Sequence, residues 1–141
     1  MQFILNDGGR AAAGFCGPAR DCVTRAIAIA TAKPYREVYD ALNELAERER
    51  TGKRKKKSSS RMGVYPQTYR RYLHSLGWRW TPTTTIGSGC GTHLKASELP
   101  PGALIVRVSR HLTAVIDGVL HDTHDCSRKE TRCVYGYFSR S

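Results

Sequence analysis

The stretch HLTAVIDGVLHDT at 111–123 constrains the fold most, because it predicts two strands and the register between them. Two apolar runs flank Asp117-Gly118, a dipeptide that favours the two-residue turn of a β-hairpin. Such a turn pairs Ile116 with Val119 and continues the register outward from there. Because side chains alternate across each strand, four polar residues are predicted to share one face: His111, Thr113, Asp122 and His124.

Within this hairpin, Asp122 is predicted to be the diagonal neighbour of His111, within hydrogen-bonding reach. A carboxylate at that position can orient an imidazole and stabilise its charged form. Asp117 lies further along the strand, roughly 20 Å from His111 at about 3.3 Å per residue. Asp125 falls on the opposite face or beyond the strand. The alternative is a surface His–Asp contact with no chemical role.

Hydrophobic spacing predicts three helices ahead of the hairpin. The first begins at Cys22, after Asp21 as a favourable N-cap, and runs to about Ala32. The other two cover about 35–48 and 66–76, and Gly77 is a suitable C′ residue for the last. Further strands are predicted at 2–5, 78–83, 103–108 and 132–138. Helices followed by a C-terminal antiparallel sheet indicate an α+β fold, and 141 residues fit a single domain, 1–141.

Cys22 is the strongest candidate for a nucleophile. A thiol at a helix N-terminus experiences the positive end of the helix dipole, which favours the reactive thiolate. The backbone N–H groups of the first turn can also hold an oxyanion. Asp21 partly opposes thiolate formation. The alternative is that Cys22 is a small apolar residue in a buried helix.

These motifs resemble those of the papain-like cysteine peptidase superfamily. The stretch DCVTRAIAIATAKPYREVYDAL at 21–42 looks like the nucleophile helix of ovarian-tumour-type deubiquitinases and bacteriocin-processing peptidases, and SRHLTAVIDGVLHDT at 109–123 resembles their His and Asp strands. More closely, the chain is similar to a group of short bacterial and phage papain-like proteins. They share the runs DGGRAAAG, DCVTRAIAIAT, IGSGC, HLTAVIDGVLHDT and RCVYGY.

The resemblance implies a nucleophile at Cys22, a base at His111 and an orienting residue at Asp122, with the nucleophile helix central in a papain-like fold. Enzymes of this kind often carry a Gln several residues before the Cys as an oxyanion donor, and this chain has none between Gln2 and Cys22. The Cys22 N–H is then the best donor, with Asn6 or Arg20 as alternatives. The resemblance also implies a bacterial or phage-infected host cytoplasm.

The net charge of +11 is concentrated in one segment. Residues 48–61, RERTGKRKKKSSSR, hold eight Lys or Arg and one Glu. Like charges repel and nothing in this run is expected to pack, which predicts a mobile loop at about 49–61. The run could bind nucleic acid or an acidic protein surface, or could be a solvated loop. The candidate polyanion-binding residues are Lys53, Arg54, Lys55, Lys56 and Lys57.

Five cysteines in a cytoplasmic chain, odd in number and far apart, predict no disulfide framework. The run HDTHDC at 121–126 could bind a metal ion, but alternation sends His121 and His124 to opposite faces, so neither a metal nor a cofactor is expected. Cys90 and His93 form a second Cys/His pair in a Gly-rich loop, where no helix would activate the thiol. No run approaches the length of a membrane span, and no signal peptide is recognisable.

The sequence therefore leaves two alternative functions. The first is a cysteine-dependent hydrolase or acyl-transfer enzyme, acting on an amide, isopeptide or thioester bond of a protein or peptide substrate. The second is a catalytically weak or inactive binding module whose basic loop engages nucleic acid or an acidic protein partner. The sequence does not predict the substrate or the oligomeric state.

Overall fold

The computed structural model describes residues 1–53, 55–85 and 87–140, and these form a six-stranded sheet with three helices. The strands are β1 (Phe3–Leu5), β2 (Trp78–Pro82), β3 (Ala103–Val108), β4 (His111–Ile116), β5 (Val119–Asp122) and β6 (Gly136–Arg140), and the helices are α1 (Cys22–Thr31), α2 (Tyr35–Ala46) and α3 (Pro66–Ser75). The predicted α+β class is confirmed. No helix in the described ranges is long and apolar enough to cross a membrane.

The hairpin register is confirmed as predicted. Asp117 and Gly118 both adopt positive φ, 48° and 78°, which is the conformation that a two-residue hairpin turn requires. Ile116 consequently pairs with Val119, and the next hydrogen-bonded positions of β4 and β5 follow in register. His111 is the first residue of β4, so the predicted polar face lies at one end of the hairpin.

The prediction of an antiparallel C-terminal sheet is wrong in two respects. The strand order is β1-β5-β4-β3-β6-β2, and β1 lies parallel to β5, with Phe3 opposite Leu120. The sheet is therefore mixed and includes strands from the N-terminal and middle parts of the chain. The last strand also begins at Gly136 rather than at residue 132, because Arg132 and Val134 bond instead to the loop at 92–94.

The sheet buries both of its faces. The three helices cover one face, where Ile27, Leu73 and Phe138 belong to a single core. Loops cover the other face, where Leu94 packs with Val115 and other strand residues. Helix α1 packs across β4, which brings the start of the helix to the end of the hairpin that carries His111.

A disulfide links Cys90 to Cys133, so the expectation that these cysteines stay unpaired is wrong. The loop after β2 folds back along the chain that leads into β6, where Leu94 N–H donates to the Arg132 carbonyl at 2.8 Å. This contact brings the two cysteines together, with Cα atoms 5.8 Å apart and a sequence separation of 43. Spacing along the chain could not reveal such a pair. Cys16, Cys22 and Cys126 are free.

The end of the basic segment is packed, contrary to the expectation for the whole run. Ser60 is fully buried, and its N–H donates to Asn43 Oδ1 at 2.8 Å. Ser58 N–H donates to Glu49 at 2.6 Å. Arg61 Nε donates to the Pro18 carbonyl at 3.1 Å. The segment therefore leaves α2 and returns to the body of the protein before α3.

Candidate active site

Cys22 is the first residue of α1, as predicted, but Asp21 does not cap the helix with its side chain. The Asp21 carboxylate instead accepts a hydrogen bond from the Tyr35 hydroxyl at 2.6 Å and pairs with Arg25. The N–H groups of the first turn are therefore left without a side-chain acceptor from Asp21. Orphan donors at this position, together with the helix dipole, favour a negative charge on or near the Cys22 thiol.

The hairpin brings His111 and Asp122 into direct contact. His111 Nε2 lies 2.7 Å from Asp122 Oδ2, and both side chains are largely buried. The Thr113 hydroxyl donates to the same carboxylate oxygen at 2.7 Å, and the Thr123 N–H donates to the other at 2.7 Å. Three donors fix the carboxylate, which in turn fixes the imidazole plane. The predicted pairing of His111 with Asp122 is present in the structure.

The structure brings Cys22 to the same imidazole. Burial alone would raise the pKa of the Cys22 thiol, but hydrogen bonding to His111 and to the Leu112 backbone, together with the charges of His111 and Arg25, lowers it below its ordinary value. Asp122 contacts Nε2 of the same ring. Cysteine, histidine and aspartate therefore lie in one chain of contacts.

The pKa of His111 moves in the complementary direction. Burial lowers it, but hydrogen bonds to Asp122, Cys126 and Cys22 outweigh burial and raise the pKa of His111 to about 11. The pKa of Asp122 is well below its ordinary range, because its bonds with His111 and Thr113 outweigh its burial. The two directions favour a thiolate–imidazolium pair at neutral pH.

This pair lies in a cleft of about 520 Å³ between α1, α3 and the β3–β4 hairpin. Val23, Val64 and Leu112 supply apolar lining, and Cys22 and His111 both border the space. The candidate nucleophile is thus half-buried yet reachable from the cleft. A concave apolar site with a few polar groups is the usual form of a substrate pocket.

The structure separates the two suggested oxyanion donors. Arg20 lines the cleft beside Cys22. Asn6 does not, because its Nδ2 lies 3.2 Å from His121 and its Oδ1 accepts the Gly8 N–H at 2.8 Å. Asn6 therefore organises the start of the loop after β1, and the suggestion that it serves as an oxyanion donor finds no support in its position.

A buried thiol, Cys126, joins the His111–Asp122 pair. Its Sγ lies 3.6 Å from Asp122 Oδ2. The ligating atoms of Cys126, Asp122 and His111 all lie within 4.8 Å of one another, so these are the residues that could hold a metal ion. Arg25 lies 3.5 Å from Asp122 and would compete with a cation for this carboxylate.

The suggested HDTHDC metal site is not assembled by its own histidines. His121 contacts Asn6, whereas His124 packs beside the His111 ring at 5.3 Å between ring centroids. They lie on opposite faces, as the alternation predicts. Asp117, set aside from the sequence, bonds the Gly102 N–H at the far end of the hairpin. Cys90, the cysteine of the other Cys/His pair, is bonded to Cys133 in the disulfide and has no free thiol.

The basic segment borders the cleft through Lys57, Ser58 and Ser59. Lys57 lines the cleft and also pairs with Glu47 at 3.0 Å. Lys53, Lys55 and Lys56 are exposed, and Lys55 lies over the Tyr65 ring at 4.8 Å. Arg54 lies outside the described residues. Of the described members of the predicted polyanion-binding group, Lys57 lines the cleft, whereas Lys53, Lys55 and Lys56 do not.

Three residues that line the cleft were missed by sequence reasoning, namely Arg107, Arg110 and Tyr69, and Cys126 was considered only as part of the HDTHDC run. Arg107 lies on β3 and Arg110 lies in the turn before His111, so their nearness to the hairpin was the available signal. Tyr69 was interpreted as a core residue of α3. Burial does raise the pKa of Tyr69, but the charge of Arg107 lowers this pKa and the charge of Cys22 raises it. Nothing in the spacing of Cys126 indicated its role.

Comparisons of the chain with protein-family models, with curated proteins and with solved structures gave no match.

Proposed function

We propose that this chain is a papain-like cysteine hydrolase or acyl-transfer enzyme that uses Cys22, His111 and Asp122. The observation that carries the proposal is the contact chain from the Cys22 thiol through the His111 imidazole to the Asp122 carboxylate, at the side of an open cleft. The order helix-borne thiol, strand-borne base, adjacent-strand carboxylate is the order that the sequence resemblance implies for the papain-like superfamily.

In the first half of the reaction, the Cys22 thiolate attacks the carbonyl carbon of an amide, isopeptide or thioester. A C–S bond forms, and the carbonyl π electrons move to oxygen, where the N–H groups at the start of α1 can stabilise the charge. When the intermediate collapses, the bond to the leaving group breaks, and the His111 imidazolium gives its proton to that group. The product is a thioester on Cys22 and neutral His111.

In the second half, water or another acceptor attacks the thioester. His111 removes the acceptor proton as the new bond forms, and the C–S bond breaks to restore the thiolate–imidazolium pair. Asp122 stays deprotonated throughout and holds the imidazole in one orientation, because its carboxylate already accepts hydrogen bonds from three donors. Water as acceptor gives hydrolysis, and an amine or thiol gives acyl transfer.

The test is selective alkylation at neutral pH, read by mass spectrometry of cysteine-containing peptides. Iodoacetamide carries no charge and therefore reports thiolate reactivity. Cys22 is expected to react at least about tenfold faster than the exposed free thiol of Cys16, because its pKa is lowered. The advantage should disappear in His111→Gln.

His74→Gln is the matched control, because His74 is exposed on α3 and does not border the cleft of Cys22. That variant should leave the Cys22 rate unchanged. The proposal would be overturned by equal alkylation rates at Cys22 and Cys16 in the native chain, or by a Cys22 rate that is unchanged in His111→Gln.

A second candidate function rests on the exposed lysines beside the cleft. Lys53, Lys55 and Lys56 are exposed and make no ion pair with a carboxylate that the structure describes. In this case the fold acts as a binding module for nucleic acid or an acidic protein. Replacing the three lysines by Gln should then lower the salt concentration at which the protein leaves a heparin column. An unchanged elution position would remove this candidate.

A further inference from the structure

Three arginines converge on the cleft of Cys22 from separate parts of the chain. Arg20 precedes α1, Arg107 lies on β3 and Arg110 lies in the turn between β3 and β4. None of them forms an ion pair with a carboxylate in the described part of the chain. Lys57 adds a fourth cation at the rim, although it is paired with Glu47.

No Asp or Glu among the described residues lines this cleft. Elsewhere the protein does pair its buried arginine: Arg25 contacts both Asp21 and Asp122. The three arginines of the cleft are thus left without a carboxylate partner among the described residues. A concave site lined by one sign of charge raises the local concentration of ligands of the opposite sign.

The backbone at Arg110 provides a second, independent observation. Arg110 has φ 56°, a left-handed conformation that residues with side chains rarely adopt. It occupies the second position of the tight turn that joins β3 to β4, where Val108 pairs with His111. Glycine would relieve the strain there, and strained positions concentrate at functional sites. Arg110 directly precedes His111 in the chain, and both residues line the cleft.

Arg107 is close enough to act on groups deep in the cleft. Its charge opposes the rise in pKa that burial causes at Tyr69, and the charge of Cys22 also acts on Tyr69. Arg107, Cys22 and Tyr69 also line the same cleft. A negative group on a substrate that contacts Arg107 would lie near the carbonyl that Cys22 attacks.

We infer that the cleft selects a peptide with carboxylate side chains beside the bond that Cys22 attacks. This inference rests on the proposed function. Thiol acyl chemistry needs a carbonyl carbon, which a peptide backbone offers at every residue and a nucleic acid backbone does not. The apolar lining from Val23, Val64 and Leu112 suits the aliphatic part of a peptide, and the arginines suit Asp or Glu.

The first experiment uses two thiol reagents that share one reactive group and carry head groups of opposite charge. Sulfonatoethyl and trimethylammonioethyl methanethiosulfonate both accept the attacking thiolate at the same sulfur, form a mixed disulfide and release methanesulfinate. The ratio of their rates at Cys22 is divided by the ratio for N-acetylcysteine. We expect the anionic reagent to be favoured about tenfold, and the preference to fall with added salt.

Arg107→Gln/Arg110→Gln should bring the normalised ratio close to one. Arg110→Gln alone changes an exposed turn residue and should give an intermediate ratio. This single variant serves as the test if the double variant fails to fold. Arg79→Gln is the control, because Arg79 is exposed on β2 and does not line the cleft. A native ratio of one, or a ratio that the arginine substitutions leave unchanged, would overturn the inference.

The second experiment distinguishes the two anionic polymers. Polyglutamate and an oligothymidylate of equal charge are tested for protection of Cys22 against iodoacetamide. Stronger protection by polyglutamate supports a peptide, and equal or stronger protection by the oligonucleotide overturns the assignment. Fast, His111-dependent reaction with iodoacetamide alone would keep the proposed function intact even if both charge experiments fail, so the two failures are separable.

Discussion

Asp21 and Asp122 are both buried carboxylates beside α1, yet they are used in opposite ways. Asp21 is closed in by groups that do no chemistry: the Tyr35 hydroxyl, Arg25 and, at 3.6 Å, Arg10. Asp122 is held by Thr113 and the Thr123 backbone, with Arg25 at 3.5 Å and the Cys126 thiol at 3.6 Å, and it also contacts an imidazole that borders an open cleft. Residue type and burial are nearly the same, so only the neighbours separate a structural carboxylate from one that can orient a base.

Arg25 joins the two carboxylates, because its guanidinium reaches Asp21 and lies 3.5 Å from Asp122. It keeps two negative charges stable in the same buried region. The comparison predicts that substitutions on the Asp122 side change the reactivity of Cys22, whereas substitutions on the Asp21 side change the free energy of unfolding.

The largest expected effect comes from Asp122→Asn. The amide keeps the shape of the carboxylate but removes the charge that raises the pKa of His111, so the thiolate fraction at Cys22 falls. The rate of Cys22 alkylation and any turnover should drop by about 10²- to 10⁴-fold, as for the orienting carboxylate of serine hydrolases. An Asp122→Asn rate within the error of the native rate would mean that Asp122 is as structural as Asp21.

Asp21→Asn should act on stability instead. Removing one partner of a buried ion pair leaves Arg25 with Asp122 alone, and the free energy of unfolding should fall by about 3 kcal/mol. Urea unfolding measures the loss. In the folded fraction, Cys22 should react at least as fast as in the native chain, because a neighbouring negative charge is gone. A large loss of Cys22 reactivity without loss of stability would contradict the structural role of Asp21.

The pH dependence of stability sharpens the same contrast. His111 has its pKa raised from 6.5 to about 11, so above pH 6.5 the folded protein keeps a proton that the unfolded chain releases. Stability should then fall as pH rises, by up to about 1.4 kcal/mol per pH unit. In the native chain the lowered pKa of Cys22 has the opposite sign and offsets this slope until the unfolded thiol also ionises.

The slope is therefore expected in Cys22→Ala, where His111 titrates without the thiol. Between about pH 7 and pH 9 that variant should lose stability with rising pH, whereas the native chain stays nearly flat. Cys22→Ala/His111→Gln is the control and should show no such slope. Parallel profiles for all three proteins would show that the thiol and the imidazole are not coupled.

The smallest effect belongs to Tyr35→Phe. The change removes the hydroxyl that bonds Asp21 at 2.6 Å but leaves Arg25 and Arg10 as partners. The free energy of unfolding should fall by about 1–2 kcal/mol, with the rate of Cys22 alkylation unchanged. Thermal or urea unfolding and the peptide-mapped alkylation rate test both statements in one preparation.

The parts of this site that follow from sequence are those set by local rules. Asp117-Gly118 fixes a two-residue turn, and the alternation of β4 and β5 then places His111 beside Asp122. Cys22 begins α1, as helix-start rules predict. Each of these depends on a few consecutive residues, so backbone geometry alone decides the outcome.

The parts that could not be predicted depend on contacts between distant segments. The three residues of β1 are too few to predict which strand they pair with, and Phe3 lies opposite Leu120 only in the folded chain. The same holds for the disulfide between Cys90 and Cys133 and for the burial of Ser60. Asp21 has the sequence signature of a cap, but its carboxylate bonds Tyr35 because that contact is available only after α2 packs against α1.

The parallel pairing of β1 with β5 has a consequence for biosynthesis. The ribosome makes Cys22 early and Asp122 roughly a hundred residues later, which at about 5–20 residues per second separates the two by several seconds or more. Strand β1 can find its place only after β5 emerges, since they pair directly. A nascent or truncated chain that ends before residue 111 thus carries Cys22 without His111, and the two side chains can meet only after the hairpin has been translated.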